Sequence, residues 1–238
     1  MAAHSTLAVG SLLFPGVDQI DLTGPFEVLS RIPGAQHRIY GTHPGPVRDV
    51  NGLRLLPDAP YRDAPRLDLL HVPGGPGQED LMHDPNLHTW LREQAGQARL
   101  VFAVCTGALL LGAAGLLAGR RATTHWMAHD LLPLFGAEAV DARVVVDGDL
   151  VTAAGVTAGI DGALTVAARL VGEEAAQAIQ LDIVYAPEPP FAAGTPQTAP
   201  PSVLADARRR HADLRRRREV TARAYAASSP VTRSVGST

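Results

Sequence analysis

Cys105 is the sole cysteine in a chain of 238 residues, and its neighbours decide whether it reacts or merely packs. It follows the apolar run Leu100-Val101-Phe102-Ala103-Val104 and precedes Thr106-Gly107-Ala108-Leu109-Leu110-Leu111. The first run predicts a buried strand and the second a helix start, with neither proline nor a polar linker between them. The turn therefore falls at or beside the sulfur. A thiol there meets the free N–H groups of a helix N-terminus, which favour an anion and predict a lowered thiol pKa. This is the pattern of a nucleophile elbow, with Gly107 leaving room for the tight turn. The structural alternative is a free cysteine packed as a small hydrophobe. The strand-to-helix position favours the reactive reading.

A reactive thiol needs a proton partner and a stabiliser for developing charge. Asp21, in Asp18-Gln19-Ile20-Asp21-Leu22-Thr23-Gly24-Pro25, follows the first apolar run. Held between Ile20 and Leu22, its carboxyl can keep its proton through a raised pKa. The pattern by itself favours the plainer role of a helix N-cap. Gly74-Gly75 ends another apolar run, so an N–H of this pair, such as that of Gly75, could join the N–H of Thr106 in stabilising an anion. A plain tight turn fits the same spacing. None of the nine histidines is placed as an evident base for Cys105. His125 and His129 stand four apart but lack a third ligand, so no metal site is expected. His125 and Trp126 are expected to line a pocket or pack in the core. Asp161 is expected to serve a helix N-terminus.

The elements that must position these residues can be read from the alternation of apolar runs and helical patterns. Strands are expected at Leu7–Phe14, Gln36–Thr42, Leu53–Leu56, Leu67–Val72 and Leu100–Val104. Val144–Val146 and Leu150–Thr152 flank Asp147-Gly148, a hairpin signal. Helices are expected at Pro25–Arg31, Asn86–Ala98, Trp126–Phe135, Ile160–Val171 and Glu174–Tyr185, Pro25 being acceptable in a first turn. This order predicts an α/β fold whose mainly parallel sheet is covered on both faces. Active sites of such sheets lie beyond the carboxyl ends of the strands, where Gly74-Gly75 and Cys105 both fall.

Residues 1–185 are expected to form the α/β domain. Ala186 to Pro201 holds six prolines and reads as an arm over the surface. One Arg-rich helix follows from Ser202 to Ala227, expected to pack on the same domain or on a dimer partner. Its arginines read as a solvated face, since Asp206, Asp213 and Glu219 interrupt them and no aromatic residues interleave. Residues 228–238 are expected to be a flexible tail.

Composition narrows the function classes. The chain is 46% hydrophobic and 19% charged, enough apolar material for a sizeable core. Its net charge of −3 gives no global field for nucleic acid or an anionic membrane. One cysteine excludes an intrachain disulfide and fits a reducing compartment. Met1 to Thr6 lacks a signal-peptide pattern, and Leu7–Phe14 is too short to span a membrane. A soluble cytoplasmic protein is expected.

Four motifs, in order, carry a resemblance: Val72-Pro73-Gly74-Gly75, Ala103-Val104-Cys105-Thr106-Gly107, Ala122-Thr123-Thr124-His125-Trp126 and Thr157-Ala158-Gly159-Ile160-Asp161. They resemble the PfpI-type, class I glutamine-amidotransferase-like superfamily. Two branches share them: the isocyanide (isonitrile) hydratases and the sensor domains of AraC-type regulators. Asp21-Leu22-Thr23-Gly24-Pro25, and Tyr185-Ala186-Pro187 through Pro189-Pro190-Phe191, Gly194 and Thr198-Ala199-Pro200, resemble the hydratase branch. The match runs from about Leu7 to Ala227, and the region after Pro201 is too short for the regulators' two helix-turn-helix units. Ala153-Ala154-Gly155 departs from related sequences, which are often richer in glycine there.

The resemblance implies a flavodoxin-like three-layer sandwich that forms a homodimer. It implies Cys105 as nucleophile, Asp21 as its acid/base partner and Thr106 as an orienting neighbour. The expected activity is that of a hydro-lyase of the cyclohexyl-isocyanide hydratase type. It would turn an isocyanide into an N-substituted formamide through a covalent thioimidate, with no metal or organic cofactor. A ligand or redox sensor is the competing class. A cysteine amidase or hydrolase is disfavoured because no histidine follows Cys105 to protonate an amine leaving group.

Overall fold

The computed structural model describes residues 6–228. The strands are β1 (Leu7–Leu13), β2 (Ala35–Gly41), β3 (Val47–Arg48), β4 (Arg54–Leu55), β5 (Ala59–Pro60), β6 (Leu69–Val72), β7 (Leu100–Val104), β8 (Arg121–Ala122), β9 (Glu138–Ala139), β10 (Val144–Asp147) and β11 (Leu150–Ala153). The helices are α1 (Gln19–Leu29), α2 (Gln78–Leu81), α3 (Pro85–Ala95), α4 (Gly107–Ala113), α5 (Ala158–Val171), α6 (Glu173–Asp182), α7 (Pro201–Arg210) and α8 (Ala212–Ser228). Trp126–Phe135 is 3₁₀ rather than α-helical, with Pro133 inside it.

Seven strands form the central sheet in the order β10-β11-β7-β6-β1-β2-β5. Every neighbouring pair is parallel except β10 with β11. That pair is the hairpin expected at Asp147-Gly148, closed by Gly148-Asp149 with Asp147 opposite Leu150. Side chains alternate across the sheet, as the pleat requires. Phe102 and Val104 face one side with Val28, Leu29, Ala163 and Val166 of α1 and α5. Val101 and Ala103 face the other with Leu87 and Leu91 of α3, Leu109 of α4 and Leu132. The result is the expected three-layer flavodoxin-like sandwich.

The strand order places the site. From β1 the chain crosses to β2 on one side, and from β6 it crosses to β7 on the other. Beyond the carboxyl ends of β1 and β6 the two connections diverge and leave a crevice. The segments after β1, β6 and β7 carry Asp21, Gly74 and Cys105 to it.

Two helical expectations are corrected. α1 begins six residues before Pro25, with Asp18 as its N-cap accepting from the Ile20 N–H at 3.1 Å. Pro25 therefore lies inside the helix, where it offers no N–H to the carbonyl four residues back, that of Asp21. That carbonyl faces the buried imidazole of His71 instead. The single Arg-rich helix expected over Ser202–Ala227 is two helices that break at His211. α8 packs on its own chain: Ala222 is buried, and the Tyr225 ring lies 5.1 Å from that of Phe135. The Pro-rich arm is exposed over most of its length and has no regular structure. Of the expected flexible tail, Ser228 closes α8, and residues 229–238 lie outside the described residues. No helix among the described residues is long and apolar enough to cross a membrane.

Gly107 opens α4 hard against the end of β6. A Cβ there would sit 2.2 Å from the Val72 carbonyl oxygen, a backbone atom that cannot step aside. Gly107→Ala should cost about 1–3 kcal/mol of stability, as overpacking does, and equilibrium urea unfolding should show it as a lower midpoint with an unchanged slope.

Candidate active site

Cys105 has φ +56°, in the left-handed region that side-chain-bearing residues rarely enter. Such strain costs roughly 1–3 kcal/mol and persists only where neighbours enforce it. Here the Cys105 N–H donates to Ala153 O at 2.9 Å, and the Thr124 hydroxyl donates to Cys105 O at 2.7 Å. The two tethers hold the residue from adjacent segments and let the chain turn within one position from β7 into α4. The elbow expected from the sequence is present, and the sulfur borders a pocket of about 330 Å³.

Asp21 is fully buried on the inward face of α1. It is not the cap of that helix, a role filled by Asp18. Its Oδ2 accepts the Gly74 N–H at 3.1 Å, while Oδ1 has no protein partner. The carboxyl interacts with the Cys105 thiol. Burial, reinforced by the charge of Asp18, pushes its pKa up to about 7. Burial also pushes the thiol well above its ordinary value, with Asp21 adding to the effect. The nearby Arg218 charge and the Thr106 N–H oppose that rise without overcoming it. The thiolate expected from the helix N-terminus is thus overruled by desolvation. The two acids share a dry site where a second negative charge is disfavoured.

This constellation sits on a recognisable frame. Residues 8–169 match the DJ-1/PfpI family. The chain belongs to that family. It is 52% identical to an isonitrile hydratase from Pseudomonas putida, over 92% of this chain and 97% of the relative. A crystal structure of a THiJ/PfpI family protein from Pseudomonas syringae superposes with a TM-score of 0.88 at 36% identity, covering 92% of this chain and 91% of the other. A helix-turn-helix-type transcriptional regulator from Pseudomonas aeruginosa is 31% identical over 75% of this chain, which spans 50% of the regulator.

Within this DJ-1/PfpI domain the glycine turn departs from expectation. The Gly75 N–H donates to Thr106 Oγ1 at 3.2 Å, so it is engaged rather than open to an anion. Gly75 has φ +124°, which brings its backbone against the segment before α1. The Thr106 N–H lies close enough to the Cys105 thiol to favour its charged form. The Thr106 hydroxyl is a hub: it also accepts from Arg218 Nη2 at 3.2 Å, and the same nitrogen donates to Gly75 O at 2.9 Å.

Arg218 corrects the reading of the Arg-rich segment as a solvated face. It is only 7% exposed, whereas Arg216, Arg217 and Arg223 point to solvent. A signal existed in the sequence. Leu214, Arg218, Thr221, Ala222 and Tyr225 recur at helical spacing, so an inward stripe passes through Arg218.

His125 lines the Cys105 pocket, and burial holds its pKa down at about 4, so its ring is neutral at neutral pH. Trp126 borders two neighbouring cavities but not that pocket. Val50, Met127, Val156 and Leu214 give the pocket apolar walls that the sequence reading missed. Asp161 lies in the first turn of α5, where it pairs with Arg143 at 2.5 Å and accepts the Tyr185 hydroxyl at 3.1 Å.

Thr106→Val keeps the shape and strands the Gly75 N–H and an Arg218 donor in a dry site. The loss should be about 1–3 kcal/mol, measured by urea unfolding, with Thr106→Ser recovering most of it.

Proposed function

We propose that this chain is an isocyanide hydratase, a lyase that adds water to an isocyanide to give an N-substituted formamide. The observation that carries the reading is the Asp21–Cys105 pair, with Cys105 lining a small, largely apolar pocket and the buried Asp21 carboxyl beside its thiol. The similarity to an isonitrile hydratase over nearly the whole chain supports it.

The terminal carbon of an isocyanide holds a lone pair and is also open to a nucleophile. A pair that shares one proton suits both properties. Asp21 takes the Cys105 proton and passes it to that carbon as sulfur bonds to it. The product is a thioimidate, R–N=CH–S–Cys105, with Asp21 ionised. Asp21 then removes a proton from water as the hydroxide adds to the same carbon, and returns this proton to nitrogen. The tetrahedral adduct collapses: the C–S bond breaks, the hydroxyl proton returns to the Asp21–Cys105 pair, and the formamide leaves. Atoms balance as one isocyanide and one water per turnover. Dividing the hydration in two is the gain of covalent catalysis.

The uncharged His125 and the apolar walls suit a neutral hydrocarbon substituent of modest size, such as cyclohexyl. Homodimer assembly belongs to the same reading, supported by the exposed apolar side chains Leu181, Val184 and Phe191. Light scattering should then give the mass of two chains.

The decisive assay is formamide production from cyclohexyl isocyanide. Cys105→Ala should abolish it in a folded chain. Asp21→Asn removes the proton carrier without changing shape and should lower kcat by roughly 10²–10⁴-fold. In H₂¹⁸O the product should gain one labelled oxygen, and in D₂O deuterium on the formyl carbon. Saturable isocyanide binding without formamide, joined to sequence-specific DNA binding, would replace the enzyme by a sensor.

The active state carries one proton on the pair. Because the Asp21 pKa is raised to about 7, acid fills the carboxyl and leaves no acceptor for the thiol proton. The rate should therefore fall as pH drops through about 7 and level off above it. A flat profile between pH 5 and 8 would contradict the shared-proton step.

A further inference from the structure

The α7–α8 segment lies beyond residues 8–169, which match the family, yet it closes one wall of the Cys105 pocket with His211, Leu214, Arg215 and Arg218. Among these, Arg218 is unusual in its charge balance. Burying a guanidinium is costly unless an anion or a full set of hydrogen bonds compensates it. Arg215 pairs with Asp130 and Glu219, Arg216 with Asp213, and Arg217 with Glu79. Among the described residues Arg218 has no such ion pair. Its Nη2 meets only the Gly75 carbonyl and the Thr106 hydroxyl, and its buried Nε has no partner. A buried cation without an ion pair thus stands at the elbow, next to a thiol that must become an anion.

We propose that Arg218 is a positioning residue of the elbow, holding Gly75 O and Thr106 Oγ1 in place and serving as counter-ion to the Cys105 thiolate. The proposal deepens the hydratase reading and rests on it for its catalytic meaning. In that reaction the sulfur carries negative charge twice, on attack and on release from the tetrahedral adduct. A fixed cation outside the common domain would stabilise both moments without contacting the isocyanide carbon. Other charges bear on the two groups. Asp21 and Asp18, on α1 and its cap, raise the thiol pKa, and Arg218 on α8 lowers it. Arg218 in turn faces Cys105, Asp21 of α1, Glu79 of α2, Arg215, Arg217 and His125. Glu79 is already engaged by Arg217 at 3.5 Å and by the Thr221 hydroxyl at 3.1 Å, which leaves the Asp21–Cys105 pair as the anionic partner of Arg218, its charge moving to the sulfur on attack and on release.

The test is the pH profile of Cys105 alkylation by iodoacetamide, a neutral reagent, followed by peptide mass in the full chain. Arg218→Gln keeps a hydrogen-bond donor and loses the charge, Arg218→Lys keeps the charge, and Arg216→Met serves as a surface control. We expect Arg218→Gln to slow alkylation at pH 8 by about tenfold and to move the profile upward by about one pH unit, as loss of a neighbouring cation does. Arg218→Lys should return to within about threefold of wild type, and Arg216→Met should match it. An unmoved profile in folded Arg218→Gln, or equal impairment of the Gln and Lys variants, would overturn the counter-ion role. Failure of Arg218→Gln to fold, read by circular dichroism, would overturn it too, since the glutamine amide can still donate to Gly75 O and Thr106 Oγ1, and loss of the fold would mean that the charge serves packing rather than the thiolate. Alkylation needs no isocyanide, so the two readings fail separately. An unmoved profile in a chain that still makes formamide removes Arg218 alone. A displaced profile in a chain that makes none removes only the hydratase reading.

Discussion

The left-handed backbone at Cys105 is the constraint around which the site is arranged. An extended strand residue would bury its side chain in one sheet face, and a helical one would turn it along α4. The single strained position avoids both and leaves the buried sulfur bordering the pocket. Three neighbours hold it there. Ala153 O takes its N–H, the Thr124 hydroxyl caps its carbonyl, and Gly107 lets α4 start against Val72. Each comes from a different segment, so the elbow depends on the whole sheet being in register.

Burial then sets the protonation chemistry. A thiol at a helix start is usually regarded as a ready anion, but here desolvation is the larger influence. Asp21 is raised for the same reason. Two acids in one dry site cannot both ionise cheaply, so they behave as a pair. In the proposed reaction this is useful, because one carbon must accept a proton and a nucleophile together. Pro25 contributes to the geometry by leaving the Asp21 carbonyl free of the helix ladder and facing His71.

The C-terminal helices have a different relation to the site. The matched domain supplies the sheet, the elbow, Asp21 and the glycine turn, and α8 arrives from outside it with a buried arginine and a pocket wall. The Thr106 hydroxyl joins the two parts, accepting from Gly75 on one side and Arg218 on the other.

Much of this was legible in the residues themselves. The apolar run into Thr106-Gly107 located the elbow, because a buried strand that meets a helix without a linker has one place to turn. Alternating strands and helices implied the parallel sheet, since parallel neighbours need crossovers. The motifs around Gly74, Cys105 and Thr124 pointed to the family. Tertiary structure decided what depends on distant surroundings. The extent of α1, and so the step of Asp21 from cap to buried acid, came from packing that accommodates a proline inside the helix. The upward shift of the thiol came from exclusion of water by α1, α4 and α8, which no local pattern reports. The inward arginine was selected from a run of four by the face α8 turns to Phe135 and the glycine loop. Local sequence specifies where the chain bends, whereas dielectric environment and long-range pairing arise only once the elements are stacked.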